Sequence, residues 1–397
     1  MKTNPNRILF ITQWQFEDPL IQTYTLPYVR IIQKITPCYP YLVVTGNKSD
    51  RTLIRRRSGV ISIELPSGKR FLFLGWALNI LSLRRILEKH KVKTVHTICT
   101  PAGAVGAVLK IFNKKLRLIV DSFEPHAESM VENGTWNKTG LKYKVLFYFE
   151  KMEARLADHL IFAAPGMDKY IREKYNTIIT DYFVKPACTD LNAFSAKFIG
   201  NEEFISEYKL EGKIICVYAG KFGGIYLEDE VFEFIKVCEG FWGKDKFRFL
   251  LLSSTTDKYL EEKNSMYGID SVTTIKLFVK HSEIPFYMGL ASFAISPYKP
   301  VPSKRYCTPI KDGEYWAMGL PVVITPDISI DSDIVKENNA GAILLSFDKK
   351  GYTDAIIQID SIIKGKSRGE IYNQIRPLAE KYRNFAIAED VYRRIYG

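Results

Sequence analysis

Cysteine pairs are missing from this 397-residue chain. Its six cysteines, at positions 38, 99, 188, 216, 238 and 307, are widely spaced with no C-x-x-C. That excludes a disulfide framework and a cysteine-ligated zinc site, and it points to a reducing compartment. Residues 1–7 are polar and the apolar run after them is only strand-length, so no signal peptide is expected and the expected location is cytoplasmic. The apolar stretch FLFLGWALNILSL at 71–83 falls short of the ~20 residues that span a bilayer. Nucleic-acid signatures are lacking too. There is no finger spacing, and the basic residues do not alternate with aromatics, so no nucleic-acid partner is expected.

Basic charge, in contrast, is abundant and unevenly placed. The formal net charge is +12. Residues 1–190 carry +13 and residues 191–397 carry −1, and the stretch 48–93 alone holds twelve basic residues against three acidic ones. An N-terminal half of this kind suits an anionic partner. The 71–83 stretch, flanked by Lys69, Arg70, Arg84 and Arg85, reads either as an interfacial helix on anionic lipid or as an ordinary helix packed on a sheet. The run Arg55-Arg56-Arg57 fits the same basic surface in either case. A peripheral contact with the cytoplasmic face of the inner membrane is the expectation that follows.

At this length two domains are the natural prior. Hydrophobic and charged shares of 46% and 25% are ordinary for a globular protein. Short apolar runs at 7–12, 41–45, 94–98, 116–120 and 159–163 read as buried strands, and helical patterns at 24–35, 74–89 and 142–156 separate them. Strand–helix alternation implies a parallel sheet covered on both faces. The alternation restarts at 213–219 and continues through 247–252, 273–277, 293–296 and 321–324, with a connector around Pro186. The expected organisation is a Rossmann-like N-terminal acceptor domain over 1–190 and a C-terminal nucleotide-sugar donor domain over 191–380. The final helix, about 380–397, is expected to cross back to the first domain. Open α/β sheets bind ligands at the carboxyl ends of their strands.

The segment 307–325, CTPIKDGEYWAMGLPVVIT, is the most informative. It puts Thr308, Pro309, Ile310 and Lys311 at the mouth of a helix that ends at Gly319-Leu320-Pro321. Free N–H groups at a helix start with a lysine beside them suit a phosphate. Glu314, three residues on and sharing a face with Lys311, suits a pair of sugar hydroxyls. Taken alone, Lys311 and Glu314 also fit a surface ion pair on a core helix.

The pattern P-x-K-x-x-E-Y-x-A-x-G-x-P-V-V resembles the donor-site signature of glycosyltransferase family 4, the glycosyl transferases group 1. Further segments match in the family's order, among them Pro186 to Asp190, similar to its P-N-G-V-D junction. The resemblance implies an α/β GT-B fold with two Rossmann-like domains facing across a cleft. It implies a retaining glycosyltransferase that moves a sugar from a nucleotide donor, UDP-sugar favoured over GDP-sugar, to a glycan or lipid-linked acceptor. The expected setting is cell-surface polysaccharide synthesis in a bacterium. On this resemblance Glu314 holds the donor ribose, the turn Thr308 to Lys311 lies against the diphosphate, and backbone around Val279 and Lys280 meets the base.

A second donor element follows the strand at 213–219. Gly220, Gly223 and Gly224 let backbone approach a diphosphate closely, and Lys221 stands where the family has arginine. Taken alone, this stretch reads first as a glycine-rich turn joining strand to helix. Two family groups are absent. Tyr226 and Leu227 stand near the place of a second lysine, a role Lys311 is expected to assume, and Tyr306 stands where many members have a first glutamate.

On the N-terminal side, Asp121-Ser-Phe-Glu124-Pro-His126 follows the strand at 116–120. His126 resembles the family's cleft histidine. Asp121 and Glu124 are expected to bond acceptor hydroxyls or to orient His126, although Asp121 also fits a buried helix cap. The pair Asp331 and Asp333 reads as helix-capping, and neither a metal nor a cofactor is expected. Two alternatives stand beside the transferase: a nucleotide-sugar 2-epimerase on the same fold, and a catalytically weak binding partner of another transferase.

Overall fold

The alternating runs form two separate parallel sheets. The computed structural model describes residues 6–47, 51–66 and 72–397. Lys48, Lys69, Arg70 and Phe71, singled out above, lie outside them, as do residues 1–5 of the polar start. Residues up to Pro186 together with Ala386–Gly397 make one compact unit, and Ala187–Phe385 makes the other.

The first unit has eight strands: β1 Asn6–Ile11, β2 Cys38–Asn47, β3 Leu53–Arg57, β4 Val60–Pro66, β5 Thr94–Ile98, β6 Arg117–Phe123, β7 His159–Phe162 and β8 Phe183–Val184. Their order is β3-β4-β2-β1-β5-β6-β7-β8. β1 pairs in parallel with β2 and β5 at the centre, and Ile8, Leu9, Phe10 and Ile11 are all buried there. Helices cover both faces, which is why these strands are continuously apolar rather than alternating.

The exception is the β3–β4 hairpin at the edge, the one antiparallel pair among the described strands. Its two turn residues, Ser58 and Gly59, have φ of 51° and 80°, the left-handed pair that a two-residue hairpin demands. β3 carries Arg55, Arg56 and Arg57, charges that discourage another strand from adding to the edge. Arg57 pairs with Glu17 at 2.9 Å and Glu64 at 2.7 Å and lies over the Phe16 ring.

The second unit has β9 Ile214–Ala219, β10 Phe247–Leu252, β11 Thr274–Leu277, β12 Phe293–Ser296, β13 Val322–Ile324 and β14 Gly341–Ile343. The order is β11-β10-β9-β12-β13-β14, all parallel. Strand order reverses between β9 and β12, and the carboxyl ends of strands at such a switch point are where open α/β sheets bind ligands. Apolar side chains fill both faces: Val217, Trp316 and Ile375 on one, Phe232, Phe249 and Ile356 on the other.

Candidate functional site

The loops leaving β9, β11 and β12 assemble the sequence-predicted donor residues at the switch point of the second sheet. After β9 the chain turns through Gly220, Lys221, Phe222, Gly223 and Gly224. Gly223 and Gly224 have φ of +73° and +62°, a backbone state that side-chain-bearing residues seldom adopt. The turn is pinned from within, because the buried Tyr218 phenol donates to the Lys221 carbonyl at 2.5 Å. It is also zipped to the loop leaving β12: Leu227 N–H donates to Pro297 O at 2.7 Å and Lys299 N–H to Ile225 O at 3.0 Å. Lys221 is left exposed.

The helix Ile310–Ala317 follows the β12 loop. Pro309 precedes its first turn, and no side chain caps it. Its other end is heavily capped. Arg368 donates to the carbonyls of Met318 and Gly319, and Arg376 to that of Ala317. Cations at the carboxyl end match the helix dipole, while the amino end keeps unclaimed amides suited to an anion. Gly319, at φ +63°, ends the helix against Tyr372, where a Cβ would lie 2.4 Å from the Tyr372 Cα.

Lys311 leaves this first turn and crosses to the β9 loop. Its Nζ donates to the Tyr226 hydroxyl at 2.8 Å and sits 4.3 Å from the centre of that ring. Tyr218 and Tyr298 complete an aromatic enclosure, with ring centres 6.0 and 5.9 Å from the ammonium. Gly220 is what admits the lysine stem, since a Cβ there would lie 2.8 Å from Lys311 Cε. Burial works to raise the Tyr226 phenol, but the charge and hydrogen bond of Lys311, aided by Tyr298 and Lys221, pull it below its ordinary value.

Glu314 lies one turn further in, its side chain 8% exposed, and its Oε1 is 2.8 Å from His281 Nε2. Burial opposes the charged imidazole, yet the hydrogen bond and charge of Glu314 raise His281 above its ordinary value. Val279 and Lys280 immediately precede His281 at the end of β11. Val279 packs against the core and Lys280 is exposed. The sequence reading missed His281, although it is one of only five histidines and adjoins two residues already chosen.

Beneath the helix lies a buried polar network. Arg383 binds both oxygens of Asp331, and Ser296 donates to Asp312. Gly313 lets the helix settle on Arg383, whose Cγ would be 3.0 Å from a Cβ. Burial pushes the Asp312 carboxyl well above its ordinary value, reinforced by the Asp331 charge. Asp331 opens the helix Asp331–Glu337 but spends its carboxylate on Arg383 rather than on capping.

In the first unit the structure brings Glu124 and His126 together but not as a trio with Asp121. Glu124 Oε1 is 3.6 Å from His126 Nδ1, and both side chains are a quarter exposed. His126 starts the helix His126–Glu132 with its ring edge toward Trp136. Asp121 calls for a correction. It is 1% exposed, and its carboxylate is taken up by Lys185 at 3.2 Å, His96 at 3.1 Å, Ser122 at 3.1 Å and the Tyr392 hydroxyl at 2.6 Å. Burial works to raise its carboxyl, but Lys185, His96 and Tyr392 outweigh it and hold the group well below the usual range. A carboxylate enclosed this way offers no face to an acceptor hydroxyl. Its role is to anchor the last helix, Phe385–Tyr396, whose Tyr396 also meets His96 at 2.7 Å.

Among the described residues no group of three His, Cys, Asp or Glu side chains is placed to hold a metal, and no helix is long and apolar enough to cross a membrane.

No family model matches the sequence, and no curated protein matches it either. Solved structures do match along nearly the whole chain. A sucrose-phosphate synthase from Thermosynechococcus elongatus is 15% identical, with 98% of this chain and 99% of that one covered and a TM-score of 0.73. WaaG, a glycosyltransferase involved in lipopolysaccharide biosynthesis, is 13% identical over 98% and 100%, again with a TM-score of 0.73. HepE from Anabaena, in complex with UDP, is 12% identical over 98% and 99%, with a TM-score of 0.72. Identity at this level establishes architecture, and the architecture is the GT-B fold of the glycosyltransferases.

Proposed function

We propose that this protein is a retaining glycosyltransferase that takes a sugar from a nucleoside-diphosphate donor, UDP-sugar before GDP-sugar, and passes it to a glycan or lipid-linked acceptor. One observation carries the reading. A single short helix brings an uncapped amino end, Lys311 and Glu314 together with the loops leaving β9 and β11, at the sheet's switch point. Its opposite end is closed by two arginines. The UDP bound by HepE, a structural neighbour, agrees with it.

In this reading the ribose hydroxyls donate to Glu314, and the base meets backbone near Val279 and Lys280. The diphosphate lies between the Gly220–Gly223 turn and the amides that follow Pro309. Charge develops on the leaving diphosphate as the glycosidic bond breaks. Lys311, Lys221 and the helix-end amides are assigned to that charge, which donors held in place beforehand stabilise without reorganising. No metal or cofactor enters this scheme. Glu124 and His126, in the first unit, are assigned to the acceptor.

The finer setting is bacterial cell-surface polysaccharide assembly, with the basic first unit resting on the cytoplasmic face of the inner membrane. WaaG's part in lipopolysaccharide biosynthesis and the arginine-bearing edge strand β3 favour it. Titration calorimetry with UDP and GDP tests the core of the proposal. Binding of one, weakened in Glu314→Ala, is expected, and binding of neither overturns it. Nucleotide binding with no release from any donor incubated with lipid extract would move the assignment to a binding partner.

A further inference from the structure

We infer that His281 is a positioning residue that sets selectivity for the ribose diol by holding the Glu314 carboxylate in the plane that receives it. This rests on the donor-site reading of Glu314 given above.

The last torsion of a glutamate is broad, so a carboxylate on a helix surface does not by itself present its oxygens in one direction. Here one oxygen is tied down. His281 Nε2 lies 2.8 Å from Glu314 Oε1, and the histidine is itself held on two sides. The Phe194 ring meets it edge to face at 5.7 Å. The short turn His281–Glu283 that carries it is closed by Glu283, whose carboxylate accepts the Lys280 N–H at 2.9 Å and whose own N–H donates to Lys280 O at 2.9 Å.

An Nε2–H donor uses one lone-pair direction of the carboxylate and leaves Oε2, with the second lone pair of Oε1, for two hydroxyl donors. The bond also selects the imidazole tautomer with its proton on Nε2. A carboxylate so restrained loses less freedom when the diol arrives, and a nucleotide without the diol gains nothing from that restraint.

The pair of ligands that separates positioning from folding is UDP and 2′,3′-dideoxy-UDP. The intact protein is expected to prefer UDP by tenfold or more, on the order of the effect of hydrogen bonds to a charged acceptor. His281→Ala should weaken UDP by about tenfold while leaving dideoxy-UDP unchanged, so the preference collapses. His281→Gln, whose amide nitrogen can reach the same oxygen, should restore most of it. Equal loss for both nucleotides, or an unchanged preference in His281→Ala, overturns the inference while leaving Glu314 in the donor site. A wild-type protein that binds UDP without any diol preference, or binds no nucleotide, overturns the reading of Glu314 as well. Thermal midpoints measured alongside identify a variant that has merely lost its fold.

Discussion

Lys311 Nζ donates a 2.8 Å hydrogen bond to the Tyr226 hydroxyl, joining the first turn of the Ile310–Ala317 helix to the loop leaving β9. Eighty-five positions separate the two residues. The resemblance to family 4 puts Tyr226 near the place of that family's second lysine, and the structure sets the Lys311 ammonium against its hydroxyl. Lys311→Met keeps the stem and removes the charge. It should weaken UDP binding by roughly 10- to 100-fold, the worth of a charged hydrogen bond in a shielded site, and leave uridine binding unchanged. Calorimetry on both ligands checks this, and an equal effect on uridine would detach Lys311 from the diphosphate.

Gly220 makes that crossing possible. An added methyl group would lie 2.8 Å from Lys311 Cε and 3.0 Å from the Tyr218 hydroxyl. The lysine stem is flexible, so Gly220→Ala should fold with a thermal midpoint within a few degrees of wild type. UDP affinity should nevertheless fall several-fold, because the ammonium is pushed off the Tyr226 hydroxyl. Unchanged affinity would mean that the lysine regains its position by another rotamer.

How much of this was legible beforehand differs by element. The central strands were, because parallel strands buried on both faces read as runs such as Ile-Leu-Phe-Ile in β1 or Phe-Leu-Leu-Leu in β10. The β3–β4 hairpin was not. Leu-Ile-Arg-Arg-Arg carries no apolar alternation, and its strand character comes from pairing with β4. Within the site, Lys311 and Glu314 were found because a helix start is a local pattern. Tyr226, Tyr298 and His281 are set by loops that meet only in three dimensions. Asp121 shows the opposite failure. A carboxylate at a strand end looks catalytic in one dimension, and the partners that consume it, Lys185 and Tyr392, arrive from 64 and 271 residues away.

Arg383 supplies a strong test of how the donor helix is supported. It is 1% exposed, binds Asp331 and lies 5.3 Å from the Trp316 ring centre. Arg383→Met removes the only cation recorded against Asp331 among the described residues and leaves an uncompensated buried charge, a loss of about 3–5 kcal/mol. For a domain of this size that lowers the thermal midpoint by roughly 6–20 °C. UDP should protect the variant poorly, since the helix rests on Arg383 through Gly313. A shift below 2 °C in scanning calorimetry would refute the support role.

Two buried glutamates on the helix Leu141–Leu156 make stability depend on pH. Glu153 is fully buried against Gly103, where a Cβ would lie 2.0 Å from its Oε2, and neither of its oxygens has a hydrogen-bond partner among the described residues. Burial, with the Glu150 charge, raises its carboxyl well above the ordinary 4.5. Glu150 is pushed up to about 8, chiefly by burial and against the Ala127 amide and Tyr175 hydroxyl that it accepts from. Below the unfolded value both folded and unfolded chains are protonated and nothing is lost. As pH rises the unfolded chain releases these protons first, so folding stability declines, continuing for Glu150 until about pH 8. The wild-type midpoint should therefore fall between pH 5 and pH 8 with respect to these groups. Glu153→Gln cannot ionise, keeps the volume, and should gain stability at pH 8 while differing little at pH 5. Each kcal/mol recovered is worth about 2–4 °C in a domain of this size. Melting curves for the two proteins that stay parallel across that range would place the Glu153 carboxyl in contact with water.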